Sequence, residues 1–177
     1  MPQTLPELLT SLDYYSDRIP LVELTRRLED LAIDLDAVRG YLGFGPDHYR
    51  RDLMHAGPAY HALLLCWRSG QRSPIHDHRG SRCAVRVLKG VATESQFVRT
   101  KDGLIYPTFS RQLPAGSVCA SQDDDIHQMS NLQSGLDLVT LHMYSPPLLV
   151  MGTYSLTERA VAEFYDPIFE FALGGGI

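Results

Sequence analysis

The sequence has little of what marks secreted, membrane-spanning or nucleic-acid-binding proteins. It contains three cysteines among 177 residues, an odd and sparse set that is unlike a disulfide framework. Its 16 basic and 21 acidic side chains give a formal net charge of −5, whereas nucleic-acid binding requires a basic patch. No apolar run approaches the roughly 20 residues of a membrane span, and residues 1–15 lack the basic and apolar segments of a signal peptide. We therefore expect a cytoplasmic protein with no nucleic-acid partner and no membrane association.

The length and composition are those of one globular domain. Hydrophobic residues make up 44% and charged residues 21% of the chain, which is ordinary for such a domain. A chain of this size buries roughly 70% of its unfolded surface, so it needs no disulfide or metal merely to fold. We expect a single domain over residues 1–177, with a helical segment at 1–45 and a β-barrel at 46–177. We expect it to be a monomer or a weak homo-oligomer.

Within residues 4–42 the pattern of apolar residues is helical. Leucines recur there at three- and four-residue steps, which is the spacing of one face of an amphipathic helix. The positions are Leu21, Leu24, Leu28, Leu31 and Leu35. Glycine and proline between 40 and 46 then end the pattern. We therefore predict a helical cap at the amino terminus.

After residue 46 the chain changes to short apolar runs of strand length. The run at 60–67, YHALLLCW, precedes a glycine-containing turn, and the run at 136–147, LDLVTLHMYSPP, stops at two prolines. Further short runs between them are separated by turn sequences such as KDG and PAG. The tail at 157–165, TERAVAEFY, permits a helix, but a closing pair of strands fits the rest better. Many short strands at near-regular spacing predict a mainly β sandwich or barrel beneath the helical cap.

Two sets of polar side chains share a face of a predicted strand. Residues at i and i+2 of a strand point the same way, so the imidazoles of His76 and His78 can converge on a divalent metal. By the same period Thr140, His142 and Tyr144 share one face of the late strand, opposite apolar residues at 139–143. This polar face must either meet solvent or line a cavity. If the threonine hydroxyl hydrogen-bonds the imidazole and the imidazole hydrogen-bonds the phenol, this chain would fix the position of the tyrosine and the direction of its hydroxyl proton.

Three ordered motifs resemble those of a known family. The spacing G-x5-H-x-H-x4-C-x6-G over 70–90 resembles the first cupin motif, in which a glutamate normally stands where this chain has Cys83. PAG at 114–116 and H-x3-N at 127–131 resemble the second cupin motif. Together with LHMYSPP, these motifs make the chain resemble the cysteine dioxygenase family, the thiol dioxygenase branch of the cupins, over about residues 49–147.

The resemblance implies a metal centre and a reaction. His76, His78 and His127 would bind a non-haem Fe(II). L-cysteine would bind through its thiolate and amine, and both atoms of O2 would pass to sulfur to give cysteine sulfinic acid, the second rung of the cysteine oxidation ladder. Three neutral imidazoles leave the charge of the iron uncompensated, so the site suits a thiolate, which a metal readily deprotonates. Three histidines would also accept Zn, Ni or Co.

The resemblance also implies how the substrate is held. Arg51, with Tyr49 two residues before it, falls on the arginine of the family that binds the substrate carboxylate. A guanidinium offers a planar fork that matches a carboxylate. If this stretch is extended, the side chain of Arg50 points to the opposite face and is solvated.

A catalytic group and a covalent cross-link are implied as well. Tyr144 would hydrogen-bond the substrate, His142 would hold Tyr144 in place, and Thr140 would orient His142. Cys83 and Tyr144 match the pair that forms a thioether in animal members of the family. The family often has a cis bond at the position of Ser145–Pro146.

Core packing explains the other cysteines and the tryptophan, and surface placement explains the other histidines. The residues assigned in this way are Cys66, Trp67 and Cys119 for the core, and His48, His55 and His61 for the surface.

Other functions stay open. Relatives that prefer 3-mercaptopropionate resemble this scaffold but carry glutamine at the position of Arg51 and glycine at that of Cys83, so both residues favour cysteine. Cysteamine has no carboxylate and fits Arg51 poorly. A cupin that binds a metal to sense a ligand without turnover would have little need of a positioned phenol at Tyr144. A metal-bound isomerase fits poorly without the glutamate ligand.

Overall fold

The computed structural model describes residues 2–122 and 125–166. The helical cap consists of α1, Leu5–Leu12, and α2, Leu21–Glu29, followed by a 3-10 helix, Asp36–Tyr41. The strands are β1 Arg50–Ala56, β2 His61–Trp67, β3 Ile75–His76, β4 Arg82–Lys89, β5 Val91–Arg99, β6 Ile105–Pro114, β7 Val118–Ser121, β8 Ile126–Ser130, β9 Leu138–Ser145, β10 Val150–Tyr154 and β11 Ala162–Tyr165. No helix in these residues is long and apolar enough to cross a membrane.

The helical segment is shorter and more broken than the leucine pattern predicts. The Glu7 carboxylate caps the start of α1, because it accepts a hydrogen bond from the backbone N–H of Thr4 at 2.8 Å and so satisfies a donor that the helix leaves free. Pro20 stands immediately before α2, where its fixed φ and missing N–H suit a helix start and oppose continuation from the preceding turn. α2 ends at Glu29 because the backbone around Leu31 then forms a bridge with Gln3, so the predicted helical positions Leu31 and Leu35 lie outside α2, in the connection to the 3-10 helix.

The strands form two antiparallel sheets. The five-stranded sheet has the order β1-β2-β9-β4-β7, and the six-stranded sheet has the order β11-β10-β3-β8-β5-β6. The mainly β prediction is confirmed, and so is the closing pair of strands, because β10 pairs with β11. The sheets are not closed into one hydrogen-bonded barrel, so the predicted barrel is two separate sheets. The peptide bond between Ser145 and Pro146 is cis, as the resemblance implied.

The five-stranded sheet is covered on both faces. Every residue of β2 and β9 is buried. On one face Leu64 and Leu141 pack against Leu8 and Leu24 of the helical cap. On the other face side chains of this sheet pack against those of the six-stranded sheet, such as Met129. The polar face predicted on β9 therefore lies inside the molecule.

Truncation of a leucine on the cap-facing side of β9 should measure how much this burial stabilises the fold. Leu141 has no exposed surface, so Leu141→Ala should lower the free energy of unfolding by about 2–5 kcal/mol in urea denaturation. Leu136→Ala is the matched control, because Leu136 is 59% exposed and its truncation leaves no cavity. Equal midpoints for the two variants would contradict the placement of this face.

Candidate active site

The six-stranded sheet brings three buried histidines together. His76 ends β3 and is the register partner of His127 on β8, and His78 follows two residues later. Their side-chain nitrogens that could bind a metal all lie within 4.8 Å of one another. The predicted trio is therefore assembled from two neighbouring strands and the loop after β3.

The ring nitrogens of this trio are arranged as a metal site requires. The Nδ1 atom of His76 lies 2.9 Å from the Pro74 carbonyl oxygen. The Nδ1 atom of His127 lies 3.1 Å from the Glu94 carboxylate. Nδ1 therefore carries the proton in both rings, and Nε2 is left with a free electron pair, which is the form that binds a metal. The Nε2 atoms of His127 and His78 lie 3.2 Å apart.

Burial keeps two of these imidazoles neutral. Desolvation, together with a smaller effect of the nearby His127, lowers the pKa of His76 to about 3. Burial also lowers the pKa of His78 far below its ordinary value. Neutral imidazoles are the protonation state in which histidine binds a metal. The residues therefore fit a divalent transition metal, for which three nitrogen ligands leave further positions open.

A buried carboxylate that the sequence motifs do not single out supports this trio. Glu94 on β5 has no exposed surface, and it accepts hydrogen bonds from His127 and from Arg111 Nε, the latter at 2.7 Å. Burial would raise the pKa of Glu94, but hydrogen bonds and charge from His127 and Arg111 hold the pKa below its usual value. The only signal in the sequence was a glutamate that shares the inward face of a strand with Ala92.

The polar residues of β9 form one hydrogen-bonded chain, which begins at Trp67. The indole Nε1–H of Trp67 donates to Thr140 Oγ1 at 3.0 Å. Thr140 Oγ1 lies 2.9 Å from His142 Nε2, and His142 Nδ1 lies 3.1 Å from the Tyr144 hydroxyl. An indole can only donate, so the threonine hydroxyl donates to Nε2, and Nδ1–H donates to the tyrosine oxygen. The hydroxyl proton of Tyr144 is thus free to point elsewhere.

The protonation states of His142 and Tyr144 agree with this direction of hydrogen bonding, from Trp67 toward Tyr144. Burial lowers the pKa of His142 far below its ordinary value, so its ring stays neutral with one N–H. Burial also raises the pKa of Tyr144 well above its ordinary value, and the neighbouring Cys83 raises it further. Tyr144 is therefore a neutral phenol that can donate a hydrogen bond.

Cys83 and Tyr144 are direct neighbours across two strands. They are register partners in the pairing of β4 with β9, and burial raises the pKa of the Cys83 thiol well above its ordinary value. Such a thiol is protonated and is a poor nucleophile by itself. The structure thus brings the predicted pair together, with Cys83 as a neutral thiol beside the phenol.

The two arginines of the YRRD stretch point in opposite directions, as predicted. The Arg50 side chain is 54% exposed and pairs with Asp52. The Arg51 side chain is 15% exposed and donates from Nη2 to Asp166 at 2.6 Å. Tyr49 stacks on the Trp67 ring, with centroids 4.0 Å apart.

One cavity contains most of these groups. Its lining includes the substrate-binding candidates Tyr49 and Arg51, two of the three histidines, and both His142 and Tyr144. Residues that the sequence analysis did not assign to the site complete the wall: Leu65, Trp67, Ser73 and Met129.

The remaining predictions are partly confirmed. Cys66 and Cys119 are buried and free, and His48 is exposed. His61 is buried at 8% exposure, so its predicted surface position is wrong. Burial lowers the pKa of His61, and the charge of Asp166 opposes this. His55 is half-buried and bonds Asp13 at 2.8 Å, so it is not a free surface side chain.

Comparison with solved structures shows the fold. The chain is similar, at a TM-score of 0.53 and 16% identity, to a protein with a double-stranded β-helix domain from Klebsiella pneumoniae, over 62% of this chain and 81% of that one. It is also similar to a Bacillus halodurans protein, at a TM-score of 0.51 and 15% identity, over 66% of this chain and 81% of that one. The double-stranded β-helix is the cupin fold.

Comparison of sequences identifies the family as well as the fold. The chain is 30% identical to cysteine dioxygenase type 1 of Homo sapiens over 152 residues, which are 82% of this chain and 76% of the human protein. It is 29% identical to cysteine dioxygenase type 1 of Danio rerio over 161 residues, which are 86% of this chain and 80% of that protein. The model of the family described as cysteine dioxygenase type I matches residues 16–157. Because this match spans the histidine trio, the arginine and the polar strand alike, the chain belongs to the cysteine dioxygenase type I family and is an oxidoreductase of the cupin fold.

Proposed function

We propose that the chain binds Fe(II) through His76, His78 and His127 and converts L-cysteine and O2 to cysteine sulfinic acid. One observation carries this proposal. Three buried histidines that can bind a metal stand together, and two of them share a single cavity with a buried guanidinium and a neutral phenol. An amino-acid thiol has a thiolate that a metal can bind and a carboxylate that a guanidinium can bind. A site that offers both groups, with a hydrogen-bond donor beside them, can hold such a molecule at both ends.

The metal would supply chemistry that the side chains lack. Bound Fe(II) would provide the redox chemistry that combines O2 with a thiolate, which no amino-acid side chain provides. The protein contributes the three imidazoles and buries them. It also contributes the Glu94 carboxylate, whose hydrogen bond orients the ring of His127 and makes its other nitrogen a stronger donor to the metal.

Arg51 would select a substrate that has a carboxylate. Its guanidinium is buried and lines the cavity, so a carboxylate bound there is shielded from water and the charge-assisted hydrogen bonds are strengthened. This argues for L-cysteine or 3-mercaptopropionate over cysteamine. L-cysteine is favoured, because its amine and its thiolate can both bind the metal while its carboxylate binds Arg51.

Tyr144 would donate its hydroxyl proton into the cavity. The chain from Trp67 through Thr140 and His142 supplies the tyrosine oxygen with a donated hydrogen bond. The phenol proton is then left for the substrate or for the oxygen that is transferred. The network fixes this proton before the substrate arrives, which is the preorganisation that catalysis benefits from.

Oxygen uptake by the Fe(II)-loaded protein tests the reaction. L-cysteine should drive uptake and yield the sulfinate by mass analysis, and cysteamine should be a poor substrate. Arg51→Gln should raise the KM for L-cysteine by roughly ten- to a hundredfold, because charge-assisted hydrogen bonds contribute about 1.5–3 kcal/mol.

Arg50→Gln is the matched control for that experiment and should leave the KM unchanged, because this side chain faces solvent. Uptake chiefly with 3-mercaptopropionate would overturn the substrate assignment. An iron-loaded protein that consumes no O2 with any of the three thiols would overturn the reaction and favour a cupin that binds metal and ligand without turnover.

Glu94→Gln tests the support of the metal site. Glutamine keeps an oxygen that can accept from His127, but it removes the negative charge. We expect metal affinity to fall about 10- to 100-fold, measured by calorimetric titration with Co(II). Glu158→Gln changes an exposed carboxylate far along the chain and should leave the affinity unchanged. Equal affinities for the two variants would mean that Glu94 does not support the metal.

The neighbouring Cys83 and Tyr144 should form a thioether during turnover. Sγ would bond to a ring carbon beside the hydroxyl, and the thiol hydrogen and the ring hydrogen would be removed with two electrons by O2. The intact mass should then fall by two hydrogens in the cross-linked fraction. Tyr144→Phe should abolish the change and Cys66→Ser should not. An unchanged mass after many turnovers would contradict the cross-link.

A further inference from the structure

Asp166 is the partner of the arginine that lines the cavity. It follows β11 directly, and its backbone N–H donates to the carbonyl of Leu149 at 2.9 Å, which ties this end of the chain to the start of β10. Its side chain is 3% exposed, and its carboxylate accepts from Arg51 Nη2 at 2.6 Å. The two residues stand 115 positions apart in the chain. Nothing in the proposed chemistry uses this carboxylate.

The ion pair occupies only part of the guanidinium. A guanidinium carries five N–H donors in a fixed plane, and the hydrogen bond to Asp166 uses Nη2 alone. Nε of Arg51 is buried and has no hydrogen-bond partner in the described part of the chain. A donor left without a partner in a cavity wall is available to a ligand, and a carboxylate is the group that a guanidinium fork binds best.

A buried arginine also needs a counter-charge to remain where it is. A long cationic side chain that loses its partner turns its charged end toward water, and removal of one member of a buried ion pair leaves an uncompensated charge. Arg51 is 15% exposed, so it has solvent within reach. The carboxylate of Asp166 supplies this counter-charge at the cavity wall.

We propose that Asp166 is a positioning residue that holds Arg51 in the orientation that receives the substrate carboxylate. This inference rests on the proposed function, since it assigns Arg51 that role. Asp166 stays bound to Nη2 of the guanidinium while the substrate binds donors that include the unpartnered Nε. Affinity for thiols that carry a carboxylate then depends on the residue that follows the last described strand, and affinity for thiols without a carboxylate does not.

Asp166→Asn tests this directly, because asparagine keeps the shape and loses the charge. The probe is an anaerobic titration of Co(II)-loaded protein, in which thiolate binding is followed by its charge-transfer absorbance. We expect L-cysteine to bind at least about tenfold more weakly to the variant, as the loss of a charged hydrogen-bond arrangement implies. Cysteamine, which has no carboxylate, should bind within about twofold of its affinity for the parent protein. With Fe(II), the KM for L-cysteine should rise more than kcat falls.

Two further variants separate positioning from a general structural role. In an Arg51→Gln background the effect of Asp166→Asn on L-cysteine should vanish, because residues that act through one another are not additive. Neither member of the ion pair is charged in this double variant, so no buried charge is left without a partner. It should therefore fold even if the Asp166→Asn single variant is less stable. Asp52→Asn removes the partner of the neighbouring Arg50 and should leave both affinities unchanged.

The alternative outcomes overturn the inference in distinct ways. Equal weakening of L-cysteine and cysteamine would make Asp166 a structural residue only. Tighter binding of L-cysteine to Asp166→Asn would mean that Asp166 competes with the substrate for Arg51. Unchanged binding would mean that Arg51 needs no partner. If the parent protein itself fails to bind L-cysteine more tightly than cysteamine, the role of Arg51 in the proposed function fails, and the inference fails with it.

Discussion

The structure depends on the burial of the five-stranded sheet on both of its faces. On β9 the alternation of side chains sends Leu141 toward the helical cap and turns Thr140, His142 and Tyr144 inward, toward the other sheet. Polar atoms enclosed in this way must hydrogen-bond one another, because an unsatisfied buried group costs more than a typical hydrogen bond contributes. The chain that starts at Trp67 meets this requirement, and it leaves one phenol proton directed by the protein. The orientation of Tyr144, the catalytic candidate, thus follows from the hydrogen bonds that the buried polar groups must make with one another.

Each buried charged side chain near the site has a partner of opposite charge. Arg51 is paired with Asp166, and Glu94 with Arg111, so the charges of these four side chains cancel. The histidines with lowered pKa values add none. A divalent metal would then give the cavity two positive charges, and the thiolate and carboxylate of the proposed substrate would carry two negative ones. Such matching favours a ligand with both groups, since unbalanced charge in a low dielectric is costly.

Local periodicity was enough to predict which side chains share a face. The period of two on β9, and the opposite directions of Arg50 and Arg51, were confirmed because a strand alternates whatever it packs against. His127 came from the resemblance, since residues 49 positions apart have no local pattern in common. The leucine repeat of the cap overestimated the helices, because the spacing of apolar residues reveals neither the break at Pro20 nor the end of α2 at Glu29.

The sequence by itself determined the mainly β cupin fold, the histidine trio, and the residues of β9 that face inward, because these follow from alternation and from ordered motifs. Only the tertiary structure decided which groups pair with them. Glu94 meets His127 across 33 positions, and Asp166 meets Arg51 across 115, and in sequence each carboxylate looks like any other acidic residue. It also decided that His61 is buried and that Trp67 donates to Thr140. The physical reason is that a charged or polar side chain pairs with a group that lies within about 3 Å of it in the folded protein. The packing of the two sheets sets which group that is, and the distance between two residues along the sequence does not reveal it.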